Sequence, residues 1–215
     1  MAADHDRAEH VDEDKPLIII VQGSPRSDGN SALLAIEAFN ACEAAEFEAV
    51  IVSSAALMNE AARCNGCLHC VATGQCVHDD EVGLFIDMLD EASGLIWITP
   101  IYFASVPACL KELIDRMQVF WARRQRDEAV VFDQRRPAIA LVVGSGEDPF
   151  GTDAVTIPLK SVSQMAEFAL AEPTILLGLE DTDALLQEEN VDRLKEARAS
   201  ILAFVADVKA WDDAE

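Results

Sequence analysis

Five short apolar runs rich in β-branched residues alternate with helical patterns, and that alternation constrains the fold more than any other feature of the chain. Leu17-Ile18-Ile19-Ile20-Val21 is apolar without interruption, as a strand buried on both faces of a parallel sheet must be. Ala49-Val50-Ile51-Val52, Gly94-Leu95-Ile96-Trp97-Ile98, Ala138-Ile139-Ala140-Leu141-Val142-Val143 and Thr174-Ile175-Leu176-Leu177 repeat the theme. Helices are expected from Asn30 to about Ala45, from Val82 to Leu89, and from near Ser105 with Leu110, Leu113, Ile114 and Met117 on one face. Another is expected from Pro158 to Leu170, since proline suits a first helical turn. A closing helix carries Val191, Leu194, Ile201, Val205 and Val208 at helical spacing. The alternation predicts an α/β fold: a doubly wound, five-stranded parallel sheet in a three-layer sandwich. Such sheets bind ligands in the crevice beyond the C-terminal ends of their strands. Residues 1–15 are acidic and aperiodic and read as a disordered tail; residues 16–215 read as a single domain containing a cysteine loop at 64–80.

That loop spaces its cysteines as C-x2-C-x2-C-x5-C, at Cys64, Cys67, Cys70 and Cys76. Three thiolates at two-residue intervals with a fourth nearby suit a compact iron–sulfur cluster. Structural zinc more often uses two C-x2-C knuckles set far apart, although His69 or His78 stands ready to complete such a site. Disulfides, or a cluster site that no longer holds iron, are the other readings of the same spacing. Cys42 and Cys109 fall in expected helices and read as small buried hydrophobes.

The formal charge of −23 excludes nucleic acid as a partner, because phosphate backbones would be repelled. No apolar run approaches the length of a membrane span, and no targeting stretch opens the chain, so a cytoplasmic location is expected. Against this acidic background Arg123, Arg124, Arg126, Arg135 and Arg136 crowd one segment. Salt bridging to neighbouring acids is the favoured reading; an anion site or a subunit contact is the alternative. The stretch from Trp121 to Pro137 is otherwise too irregular to assign.

After the first strand, Gly23-Ser24-Pro25-Arg26-Ser27-Asp28-Gly29-Asn30-Ser31 opens a helix. Unpaired N–H groups at a helix N-terminus suit a phosphate, and Ser24, Arg26, Asn30 and Ser31 add donors and a positive charge. The loop is neither a Walker loop nor G-x-G-x-x-G. An ordinary capped turn, with Asn30 or Ser31 starting the helix, is the plainer alternative.

This loop resembles the FMN-phosphate loop of the NADPH-dependent FMN reductase family, whose fold is flavodoxin-like. The resemblance extends to Thr99-Pro100-Ile101-Tyr102-Phe103-Ala104-Ser105-Val106-Pro107 and to Leu110-Lys111-x-x-Ile114-Asp115-Arg116. The segment from Cys64 to Asp80 resembles the cysteine loop of that family's iron–sulfur flavoprotein branch. By this resemblance Ser24, Arg26, Gly29, Asn30 and Ser31 would hold the FMN phosphate. Pro100, Ile101, Tyr102 and Phe103 would line the isoalloxazine, with Ser145 and Gly146 as a third ring-side loop. Cys64, Cys67, Cys70 and Cys76 would ligate a [4Fe-4S] cluster. Asp115 and Arg116 read as structural, and no residue is expected to act as a catalytic acid or base.

The resemblance implies an FMN-dependent oxidoreductase that passes electrons between NAD(P)H, or a ferredoxin-type donor, and an acceptor by way of FMN and the cluster. The alternative is a cluster-free NAD(P)H-dependent FMN or quinone reductase. Small molecules or redox proteins are the expected partners, no membrane is involved, and a homodimer or homotetramer is implied.

Overall fold

The computed structural model describes residues 15–126, 128, 132, 134–146 and 152–214, so the expected tail lies almost wholly outside the described residues. The chain runs β1 (Leu17–Gln22), α1 (Asn30–Ala44), β2 (Glu48–Ser53), α2 (Ser54–Glu60), α3 (His69–Thr73) and α4 (Glu81–Glu91). It continues β3 (Gly94–Pro100), α5 (Ala108–Arg116), α6 (Gln118–Gln125), β4 (Arg136–Val143) and α7 (Asp153–Met165). It ends β5 (Phe168–Leu170), β6 (Thr174–Leu176), two 3-10 turns and α8 (Val191–Asp212).

All strand pairs are parallel, in the order β2-β1-β3-β4-β5 with β6 also on β4. This is the flavodoxin-like doubly wound order, and its reversal at β1 and β3 sets the crevice between their C-terminal ends. Successive residues of each strand face opposite sides, so the sheet divides two cores. Ile19, Val21, Leu95, Trp97 and Val142 pack beneath α4, α5, α6 and α7. Ile18, Ile20, Ile96, Ile98 and Leu141 pack beneath α1 and α8. Helix, sheet and helix thus form the expected three layers.

The fifth strand position is split. β5 pairs with the start of β4 at Arg136–Ala138, and β6 with its end at Leu141–Val143. Pro173 lies between the two pieces and has no N–H to give to the ladder. The helix expected over 158–170 is displaced for a related reason. α7 begins at Asp153 with Pro158 inside it, and Glu167, in the left-handed region at φ 62°, turns the chain into β5. The segment from Trp121 is also more regular than its sequence suggests, since α6 covers Gln118–Gln125.

Two large polar side chains inside the fold are anchored by hydrogen bonds. Trp97 Nε1 donates to Ser163 Oγ at 2.9 Å inside the core. Arg136, 1% exposed, donates to the carbonyls of Leu89, Ala92 and Ala166 at 2.6–2.7 Å. It so caps the C-terminal ends of α4 and α7, where carbonyls are otherwise orphaned and a cation is favoured. The Phe132 and Phe168 rings lie 4.2 and 3.9 Å from its guanidinium carbon. Burial pushes its pKa down to about 10, which still leaves it charged at neutral pH. The crowded arginines are therefore mostly structural: Arg123 pairs with Asp90, Arg124 and Arg135 with Glu167, and Arg126 with Glu128.

Candidate functional site

The chain leaving β1 is held tightly against the sheet, since Gly23 N–H donates to Ile98 O at 2.7 Å. A Cβ at Gly23 would lie 2.5 Å from Leu110 Cδ2 and 3.1 Å from Ile98 O, so a side chain here would push Leu110 aside. Ser24 Oγ accepts from Arg26 N–H at 3.1 Å and Gln22 Nε2 donates to Arg26 O at 2.8 Å, folding the loop over itself. Gly29, at φ 104° and ψ −171°, is the N-cap of α1 and offers no side chain. The helix has no side-chain cap and no acid in its first turn. Its first N–H groups therefore stay available to an anion, which the alternative of a capped turn would have denied them.

These N–H groups open on a cavity of ≈ 190 Å³ at the C-terminal ends of β1, β3 and β4. Ser24, Arg26, Gly29, Asn30 and Ser31 line it, opposite Pro100, Ile101, Tyr102 and Ser145. Asn30 has a second task. Its Nδ2 donates to Asp181 O at 2.8 Å and its Oδ1 accepts from Leu185 N–H at 3.0 Å. The amide expected to serve the phosphate is thus committed to the chain that follows β6. That chain supplies Leu179, Glu180, Asp181 and Thr182 to the cavity wall, and sequence reasoning missed it. The signal was present: it too leaves a C-terminal strand end, though it carries no recognisable motif.

Two expected residues stand apart from the cavity lining. Tyr102 and Ser105 exchange both backbone hydrogen bonds, at 2.8 and 3.0 Å, around Phe103 and Ala104. Both central residues take left-handed conformations, at φ 49° and 58°, the demand of a tight hairpin turn normally filled by Asn-Gly. The turn carries the Phe103 ring fully into solvent, beside Tyr102 at the cavity wall. Gly146 lies beyond Ser145 with open space around it.

A second site forms on the other side of α5. All six cysteines are free thiols, Cys64 and Cys67 exposed, Cys70 and Cys76 half-buried. Cys64, Cys67, Cys70 and Cys76 line a single, largely apolar cavity of ≈ 40 Å³ together with Val77, His78, Arg116 and Val119. Burial pushes the Cys70 thiol pKa up, and the neighbouring Cys76 and Cys64 sulfurs push the same way. Among the described residues no three His, Cys, Asp or Glu side chains gather closely enough for one metal ion. His69 is exposed on α3, whereas His78 Nε2 is buried without a hydrogen-bond partner. Cys42 is buried, which pushes its thiol pKa up to about 12, and Cys109 is half-buried with its sulfur 3.9 Å from Gly23 O.

Arginines from elsewhere in the chain fix this cysteine loop. Arg116, whose side chain is 0% exposed, donates from Nη1 and Nη2 to the two carboxylate oxygens of Asp80, both at 2.8 Å, and from Nη1 to Ala62 O at 2.5 Å. Asp80 also caps α4 by accepting from Val82 N–H and receives Ala62 N–H at 3.1 Å. The Arg116 guanidinium, outweighing the cost of burial, holds the Asp80 pKa below its ordinary value. From α6, Arg123 donates to Gly74 O at 3.0 Å, and just beyond its end Arg126 donates to Ala72 O at 2.6 Å. Asp115 pairs within its helix, with Lys111. Both residues are structural, as expected, but Arg116 also faces the cysteine cavity. α5 joins the two sites: from Cys109 near Gly23 to Arg116 the helix rises about 10 Å.

The donor set of each site bears on what it can hold. The first combines backbone N–H groups and one arginine with an apolar wall, the arrangement that suits a phosphate carried by a planar ring. The second offers four soft sulfur ligands against an apolar wall with a buried cation behind them, which suits an iron–sulfur centre.

The sequence profile of the NADPH-dependent FMN reductase family matches residues 16–176. An iron–sulfur flavoprotein of Methanocaldococcus jannaschii is 33% identical over 167 residues, covering 78% of each chain. An iron–sulfur flavoprotein of Clostridioides difficile is 26% identical over 163 residues, 75% of this chain and 68% of its own. Among solved structures an azoreductase of Bacillus anthracis superposes with a TM-score of 0.63 at 14% identity, over 88% of this chain and 100% of its own. At that identity the superposition bears on the fold alone.

Proposed function

The chain belongs to the NADPH-dependent FMN reductase family, in its iron–sulfur flavoprotein branch, and on that footing we propose the following reaction and site. The protein is an FMN-dependent oxidoreductase; NADH or NADPH supplies its electrons, and the cavity between the β1, β3 and β4 ends is where the flavin sits. The observation that carries this assignment is the uncapped N-terminus of α1 opening on that cavity beside Arg26. FMN, when bound, supplies a ring that accepts a hydride and releases single electrons. The backbone N–H groups of Gly29, Asn30 and Ser31, with Ser24 and Arg26, hold the phosphate dianion. The charge of Arg26 offsets the acids Asp28, Glu180 and Asp181 on the same wall. Pro100, Ile101 and Tyr102 stiffen the opposite wall, exclude water and orient the ring edge through backbone groups, with Ser145 adjoining them. No side chain needs to move a proton for hydride acceptance. Anaerobic mixing of the FMN-loaded protein with NADH and with NADPH tests the reading: the flavin band should bleach with at least one of them.

This flavin reaction stands whether or not the cysteines carry a metal. A second reading, favoured by the shared cavity of the four cysteines, adds a [4Fe-4S] cluster held by Cys64, Cys67, Cys70 and Cys76. A single zinc ion draws its ligand atoms into one coordination sphere, which these thiols do not approach. A cluster takes one cysteine per iron and leaves the sulfurs apart. The Methanocaldococcus and Clostridioides relatives, both named iron–sulfur flavoproteins, support it. The cluster, when bound, exchanges one electron at a time, so that a two-electron donor can serve a one-electron acceptor. Iron and acid-labile sulfide measured after anaerobic purification separate the two readings. Assembly as a homodimer or homotetramer is part of the proposal, and sedimentation equilibrium reads it directly.

A further inference from the structure

Three buried side-chain polar atoms among the described residues lack a hydrogen-bond partner: His78 Nε2, Arg116 Nε and Arg136 Nε. The last is accounted for, since the Arg136 guanidinium lies against two phenyl rings and its terminal nitrogens are spent on carbonyls. The other two belong to residues that line one and the same cavity, that of the four cysteines. Folded proteins pair nearly all their buried donors, so two orphans on one wall mark an acceptor that belongs there.

Arg116 cannot turn its free edge elsewhere. Its two terminal nitrogens make three hydrogen bonds, to both Asp80 carboxylate oxygens and to Ala62 O, while its Nε–H is buried without a partner. A neutral thiol is a weak acceptor; a metal-bound thiolate or a bridging sulfide is a strong one.

We propose that Arg116, oriented by Asp80, donates its Nε–H to a sulfur of the cluster, that His78 donates from Nε2 to a second, and that the pair raises the cluster's reduction potential. The inference rests on the cluster reading above. Arg116 and His78 are positioning residues: they bind no iron, and they act by stabilising the extra negative charge that one-electron reduction adds to the cluster. Lysine does not replace Arg116, because it cannot grip Asp80 with a fork while pointing another N–H at sulfur.

The test is a potentiometric titration, followed by electron paramagnetic resonance, of anaerobically prepared full-length protein, with iron, sulfide and FMN quantified in each sample. Arg116→Gln should favour the oxidised cluster at least tenfold, a fall of about 59 mV for one electron. Arg116→Lys should fall between it and the parent, and His78→Leu should shift less. The flavin potential should not move with them. An unchanged cluster potential in iron-replete Arg116→Gln overturns the inference while leaving the cluster reading intact. Parent protein that binds no iron overturns both. Where Arg116→Gln loses its iron, Arg116→Lys is read in its place; where both do, His78→Leu is read, and an unmoved potential there counts against the inference.

Discussion

The phosphate loop and the cysteine loop flank the same helix, α5, but they are built on opposite plans. The phosphate loop is largely local, tied to distant chain only at its two ends, by Gly23 and Asn30. Gly23, Ser24 and Gly29 shape it within one stretch of chain, and its binding groups are backbone N–H groups left open by an uncapped helix. The cysteine loop is fixed from outside, by Arg116 on α5, by Arg123 on α6 and by Arg126 just after it. A site made of backbone donors is as rigid as the strand and helix beside it, whereas a loop held by distant side chains can be released by a single substitution. The difference predicts that the two sites fail separately.

The largest effect should come from Asp80→Ala, which leaves the Arg116 guanidinium buried without its carboxylate. Breaking a buried pair of this kind costs about 3–5 kcal/mol, measured as chemical unfolding. The cysteine loop should become susceptible to proteolysis while FMN affinity in the surviving folded protein stays near that of the parent. Joint loss of both sites would break the comparison. The pH dependence carries the same signature. The Asp80 pKa is depressed in the folded protein, so its stabilisation is complete above the ordinary aspartate value of about 3.9 and drains away as the pH falls below that toward the folded value. Asp80→Asn should flatten that part of the acid unfolding curve.

The converse substitution is Arg26→Ala together with Ser24→Ala. It should weaken FMN binding by about 1.5–3 kcal/mol, the worth of hydrogen bonds to a charged group, or about 10- to 100-fold in Kd by flavin fluorescence. Iron content and thermal stability should not change. A smaller effect of opposite sign is expected at the β3 turn. Asn-Gly in place of Phe103-Ala104 should relieve two left-handed non-glycine residues and stabilise the fold by about 1–2 kcal/mol in thermal unfolding. The smallest effect belongs to Glu37→Gln, which removes a surface pair with Arg198 and should cost under about 1 kcal/mol.

What the sequence discloses follows the same division. The parallel sheet was legible because its strands are buried on both faces and so carry unbroken apolar runs, as Ile18 to Val21 do. The phosphate loop was legible because its determinants are contiguous. The strand at Thr174–Leu176 lies where its apolar run placed it, whereas Phe168–Leu170 was read as the end of a helix because three residues before Pro173 carry too little periodicity to read. Asn30 was assigned to the phosphate because its partners, Asp181 and Leu185, are some 150 positions away. Arg116 was read as structural, but nothing local shows that it lines one cavity with Cys76 and the other three cysteines. Side chains that act over long sequence separations are visible only once the chain has folded.

The central claim is that the cavity at the ends of β1, β3 and β4 holds FMN and that a nicotinamide nucleotide reduces it. The most direct measurement is the visible spectrum of anaerobic protein, reconstituted with FMN, desalted, and then titrated with NADPH and NADH. The account predicts about one tightly bound flavin per chain, held at the N-terminus of α1, and loss of its absorption band on addition of at least one nucleotide. Protein that emerges from desalting without flavin, or bound flavin that neither nucleotide reduces, would contradict it.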